Sequence, residues 1–288
     1  MTNLTDEKVA LEDRQRVRFA FLATIGSLLV VFAVGLLAME LFLWLRPSDP
    51  ADVDLPRWAI LIGEGLIIVP LVFFLRRSGM PLRETLRLKK VNAPTIWSAL
   101  LIGLGVSVLI DEVDRLIAMV FPMPESVQGS MEFLVFAGPA DALLVIAGAV
   151  IMAPVVEEAV FRGFLQGQLE RGYRDATKAV LFSSLLFMLL HFNPWWGLQI
   201  YIFGMVLGYL AWRTGNIWPA IVVHGTNNAL SLMVANVDAD SLEWYVSGEH
   251  VSPGWLVAAA GLAYIGFRLL FGVIPIPVKC DREGGKSE

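Results

Sequence analysis

The 288-residue chain has a single cysteine, Cys280, which excludes an internal disulfide and a cysteine-based metal cage. Cys280 lies in a polar tail ending Lys-Ser-Glu and is not expected to be a prenylation box. Histidine is scarce, with three in the chain, and no His-Glu-x-x-His sequence occurs. No serine or cysteine is spaced against a histidine as an activated nucleophile would require. A cleavable signal peptide is not expected either. Residues 1–18 are mostly polar, and the apolar run Phe19–Leu45 is too long for a signal segment and lacks a small-residue cleavage site. The two halves show no self-similarity of the kind that marks repeat-built transporters. The formal net charge of −5 says little about partners, because the position of the basic residues matters more than their sum. Nucleic acid is not among the expected partners.

What the chain has in abundance is apolar sequence. Hydrophobic residues make up 56% and mean hydropathy is +0.65, whereas soluble domains average about 45–50% apolar. A helix needs about 20 apolar residues to cross the hydrocarbon core. Runs of that kind stand near 19–45, 58–75, 94–121, 140–169, 177–192, 195–212, 217–236 and 254–274, with Asn193-Pro194 breaking the chain between the fifth and sixth. Basic residues alternate with these runs. Lys8, Arg14, Arg16 and Arg18 precede the first, and six lysines and arginines stand between 76 and 90. Arg171, Arg174 and Lys178 follow the fourth run, Arg213 the sixth, and Lys279, Arg282 and Lys286 the last. The opposite connections hold only Arg46 and Arg57. The expectation is an all-α polytopic membrane protein with about eight transmembrane helices and both termini cytoplasmic.

Orientation converts sequence distance into depth. Asp111, Glu112, Asp114 and Arg115 then fall at the outer end of their helix, and Glu40 at the outer interface. Four positions instead fall near the midplane. Glu157 lies about 21 Å of helix from Arg171, and His191 about 20 Å from Lys178. His224 and Asn228 lie about 17 and 23 Å from Arg213. A carboxylate at the bilayer centre costs about 2.5–3.5 kcal/mol on insertion scales and is rarely kept without a use. Three helices thus deliver a glutamate, two histidines and an asparagine to one depth. Glu158 and Arg162 are four apart and can pair on one face. Glu157 points about 100° away from Glu158, which leaves it free for chemistry. His224 and Asn228 are also four apart and can face one cavity. Pro154, one turn before the glutamates, frees a carbonyl beside them. Glu64 is also deep, where a buried hydrogen-bonded carboxyl is the plain expectation.

Three strings carry a resemblance. Glu157-Glu158-Ala-Val-Phe-Arg162 fits Glu-Glu-x-x-x-Arg, Phe187-Met-Leu-Leu-His191 fits Phe-x-x-x-His, and His224-Gly-Thr-Asn-Asn228 fits His-x-x-x-Asn. In this order, on separate helices, they resemble the CPBP intramembrane proteases, the CAAX protease or Abi family, whose best-known members are type II CAAX prenyl endopeptidases. The resemblance implies a glutamic protease in which Glu157 and His191 activate water while His224 and Asn228 stabilise the oxyanion. Glu158 and Arg162 have supporting roles. It divides the chain into a polar N-terminus (1–18), a first group of helices with a basic loop (19–139), a protease core (140–236) and a last helix with its tail (237–288).

The chemistry is physically sound, since peptide hydrolysis needs a base for water and donors for the oxyanion. No cofactor is expected. Zinc held by two histidines and a glutamate is the competing chemistry. A proton-coupled transporter and a non-catalytic scaffold are readings from other classes. Expected partners are the lipid bilayer and a peptide or protein substrate entering from the membrane or the cytoplasmic side, lipidated substrates included. The expected location is an integral, multi-pass one, in the cell membrane if the source is bacterial.

Overall fold

The computed structural model describes residues 4–45, 57–124, 127 and 134–273. Cys280, Arg46 and the basic tail residues lie outside the described residues. The architecture is all-α apart from one short hairpin, β1 (Val246–Ser247) with β2 (His250–Val251). The helices are α1 (Leu4–Leu45), α2 (Arg57–Ile67), α3 (Val69–Arg77), α4 (Leu82–Thr85) and α5 (Ala93–Val120). They continue with α6 (Pro139–Tyr173), α7 (Ala176–Leu189), α8 (Gly197–Thr214), α9 (Trp218–Ala235) and α10 (Pro253–Val273).

Each apolar run read from the sequence coincides with helix, the second with two helices. Lys8–Ala38, Ala93–Val120, Pro139–Tyr173 and Pro253–Gly272 are each long and apolar enough to cross a membrane, and Ala176–Leu189 is a shorter apolar helix. Side chains such as Leu22, Leu29, Phe32 and Leu37 point outward from α1, exposed by more than half. Such a surface belongs in lipid, where the helix satisfies its own backbone hydrogen bonds. The protein is a polytopic membrane protein.

Three boundaries differ from the sequence reading. The polar residues before Phe19 continue α1 back to Leu4, where Asp13 pairs with Arg174 at 2.8 Å. The second run divides at Ile68 because Pro70 has no N–H to donate into the preceding turn. The fifth run stops at Leu189, so His191 sits in the turn beyond α7 and not on it. Asn193 ends that turn by accepting from the backbone N–H groups of Trp195 and Trp196 at 3.1 and 3.2 Å.

α6 is the centre of the bundle. Its residues 158–169 are buried without interruption, with α1, α2, α7, α8 and α9 around it. One apolar cluster joins Ala20, Leu71, Leu75, Val160 and Phe164 on α1, α3 and α6. A second joins Ile102, Val106, Leu207, Leu210, Val223 and Leu270 on α5, α8, α9 and α10. Lipid is as apolar as leucine, so close van der Waals fit holds these helices together. Where α5 meets α10, a Cβ on Gly266 would lie 2.9 Å from the Ser98 carbonyl oxygen, so only a glycine fits there.

α6 is not a plain α-helix. Ile146–Met152 and Ala159–Leu165 are wound as π-helix, one turn on each side of the glutamates. π-Turns are rare and concentrate at functional sites. Pro154 supplies the local reason at the first. Its missing N–H leaves the carbonyls of Ala149 and Val150, five and four residues earlier, without that donor.

Candidate active site

A polar stripe runs along α6 at four-residue spacing: Glu158, Arg162, Gln166 and Glu170. Arg162 donates from Nη1 to Glu158 Oε1 at 2.8 Å and from Nη2 to the Gly204 carbonyl at 3.2 Å. Gln166 donates to the Gly208 carbonyl and to Glu170 Oε1, both at 2.9 Å. Glu170 in turn pairs with Arg87. Gly204 and Gly208 make this possible, because a Cβ at Gly208 would lie 2.8 Å from Gln166 Oε1 and one at Gly204 3.2 Å from Arg162 Nη2. Two α6 side chains therefore bond the backbone of α8 directly. The Arg162 guanidinium also covers the Phe187 ring, 4.2 Å from its centroid.

His224, brought in by α9, stands between the adjacent glutamates. Its Nδ1 lies 2.9 Å from Glu158 Oε1 and its Nε2 3.7 Å from Glu157 Oε2. An ionised carboxylate can only accept, so Nδ1 carries a hydrogen donated to Glu158, and Nε2 is the nitrogen facing Glu157. Phe187 and Phe203 bracket the imidazole edge-on at 5.9 and 5.8 Å. The side chain of Glu158 is sealed at 0% exposure while that of Glu157 keeps 17%. One glutamate is a fully buried strut and its neighbour is slightly exposed.

Asn228, one turn further along α9, donates its side-chain amide to the Ala149 carbonyl at 2.9 Å. That is the carbonyl a π-turn would have paired with residue 154, had it not been proline. The Val150 carbonyl also faces α9, at Gly225, where a Cβ would lie 2.9 Å away. Proline on one helix and glycine on the other thus let α9 approach closely enough to set His224 against the glutamates and Asn228 against the Ala149 carbonyl. Asn228 spends one amide hydrogen on this contact and keeps a second.

His191 stands apart. Its Nδ1–H donates to the Phe187 carbonyl at 2.8 Å, its ring meets the Phe187 ring at 4.6 Å, and it is exposed. Among the described residues no hydrogen bond or ion pair joins it to Glu157. Buried Phe187 is the common neighbour of His191, His224 and Arg162. The structure therefore gathers Glu157, Glu158, Arg162 and His224 directly, sets Asn228 beside them, and reaches His191 through an aromatic ring. Among the described residues no three histidine, cysteine, aspartate or glutamate side chains are grouped to hold a metal ion.

The sequence reading missed Gln166, Glu170 and the role of Phe187. The four-residue spacing from Glu158 onward was visible, but its partner groups are backbone carbonyls of α8, which leave no mark on sequence. The basic 76–90 loop is tied down at Arg87. Its side chain meets Glu170 and its carbonyl accepts from the Ile217 N–H at 3.3 Å.

Residues 139–230 match the family model described as type II CAAX prenyl endopeptidase Rce1-like. The match covers α6 to most of α9, and with them every site residue named above except Arg87. Comparisons with curated proteins and with solved structures return no match.

Proposed function

We propose that this multi-pass membrane protein of the CAAX protease family, a family of proteases, hydrolyses its peptide bond with a water activated by Glu157. The carboxylate of Glu157 withdraws one proton as the water oxygen bonds to the scissile carbonyl carbon. The carbonyl oxygen becomes an oxyanion, met by the second amide hydrogen of Asn228 and by Nε2–H of His224 acting as the imidazolium, whose Nδ1–H Glu158 holds. As the C–N bond breaks, the proton held by Glu157 passes to the departing amine. His191 carries it, its Nε2 being free because Nδ1 is engaged at Phe187. The products are a carboxylic acid and an amine, which settle as carboxylate and ammonium when the acid's proton passes to the amine, with Glu157 returned to its starting form.

The observation that carries this reading is the bridging imidazole. His224 arrives from 66 residues away to touch Glu158 at 2.9 Å while turning its other nitrogen toward Glu157. Glu158 and Arg162 then act as an orienting pair, as the buried carboxylate does for the imidazole in hydrolytic triads. Oxyanion donors contribute on the order of 3 kcal/mol each. No bound metal enters this scheme. Topologically, eight crossings with both termini cytoplasmic agree with the positive-inside pattern. The substrate class is a membrane-bound or membrane-entering peptide, which lipidation would bring to the bilayer.

Mass spectrometry of membrane peptides from cells expressing wild type or Glu157→Gln tests this reading. Peptides cut only by the wild type are expected. Identical peptide sets from two equally abundant proteins would overturn it.

A further inference from the structure

Glu64 lies on α2, outside the segment that matches the family model, and no hydrogen bond or ion pair within the described residues uses it. Three observations bring it to the site. It stands 12 residues before Arg76, about 18 Å at helical rise with the turn at Ile68 between them, near the depth of Glu157 and His224. α2 packs against the part of α6 that runs from Ile146 to Glu158. Glu64 Oε2 is buried without a hydrogen-bond partner in the protein, and so is Glu157 Oε2.

Buried carboxylate oxygens are rarely left unmet, and each one in a native protein calls for an account. Glu158 Oε2 is orphaned as well, but its side chain is fully sealed; Glu64 Oε2 and Glu157 Oε2, on packed helices, fit the two hydrogens of a single water. We propose that Glu64 is a water-positioning residue: the nucleophilic water donates one hydrogen to Glu157 Oε2 and the other to Glu64 Oε2. This rests on Glu157 being the base. Holding both hydrogens leaves the water a lone pair to aim at the substrate carbonyl, and orientation of this kind governs rate. The charged groups beside Glu157 are Glu158 and Arg162 on α6 and His224 on α9. Asp141, at the far start of α6, is engaged by the Ala137 N–H at 2.9 Å, and Glu40 of α1 is exposed.

The test uses purified full-length protein and a synthetic copy of a membrane peptide cut by wild type but spared by Glu157→Gln. Glu64→Leu removes the acceptor at nearly constant volume, and Glu64→Gln keeps one. Glu64→Leu is expected to lower kcat about 100-fold, with KM unchanged within twofold and the thermal midpoint no lower than wild type. Glu64→Gln is expected to recover kcat to within tenfold of wild type. A merely structural carboxyl would move the midpoint and leave kcat alone. Wild-type kcat in Glu64→Leu, or a Glu64→Gln as slow as Glu64→Leu, overturns the proposal. If Glu64→Leu does not fold, Glu64→Ala decides by the same kcat criterion. An inactive Glu157→Gln beside a fully active Glu64→Leu sinks this inference alone, whereas an active Glu157→Gln sinks the proposed function.

Discussion

Replacing Arg162 by alanine removes the cation from a fully buried pair. Glu158 then keeps only His224 Nδ1, at 2.9 Å, as a partner, and the Gly204 carbonyl loses its donor. Breaking a buried pair by deleting one partner costs about 3–5 kcal/mol, because the other charge stays buried and unpaired. A chain of this size shifts its midpoint by about 2–4 °C per kcal/mol, so a fall on the order of 10 °C is expected. Thermal unfolding in detergent, followed by intrinsic fluorescence, reads it directly. The double variant Arg162→Ala with Glu158→Gln removes both charges and is expected to recover part of the loss, since residues in contact couple by about 0.5–3 kcal/mol. An Arg162→Ala protein that unfolds within 2 °C of wild type but has lost activity would refute the assignment. Arg162 would then belong to the chemistry and not to the support of Glu158.

Four further outcomes follow from the geometry. His224→Ala and His191→Ala each abolish peptide cleavage while the purified variants keep the wild-type helical circular dichroism. Asn228→Ala lowers kcat about 10²–10³-fold, the loss of one oxyanion donor, with KM little changed in steady-state assays. Gly225→Ala drives a Cβ toward the Val150 carbonyl oxygen, 2.9 Å away in the unrelaxed backbone. It destabilises by about 1–3 kcal/mol, read as a lower thermal midpoint together with a lower kcat as Asn228 shifts. Treatment of the purified enzyme with a chelator leaves its activity unchanged, whereas loss that zinc restores would establish the metal-dependent alternative.

Much of this arrangement could be read from residue order because helices in a bilayer obey two simple rules. Apolar runs set the elements, and basic flanks set their direction. Depth could then be counted at a fixed rise, which is how Glu157, His224 and Asn228 were brought together on paper. Glu158–Arg162 was legible for the same reason, being a contact within one helix. What was hidden depends on contacts between helices. The bridging of both glutamates by His224, the bonding of Arg162 and Gln166 to α8 carbonyls, and the pairing of Arg87 with Glu170 join residues 42 to 83 positions apart. The end of α7 was missed because Leu189 to His191 is apolar enough to continue a helix, and the turn is set by Asn193 downstream. Glu64 had the right depth in the sequence, but only the packing of α2 on α6 gives that depth a meaning.

The central claim is that Glu157 is the base that turns a water within the membrane into a nucleophile. The most direct measurement is the cleavage rate of one membrane peptide by purified Glu157→Gln beside wild type, both shown to be folded. A fall of about 10²–10⁴-fold or more is the predicted result, the contribution of a positioned general base. A Glu157→Gln enzyme within tenfold of the wild-type rate would contradict the account.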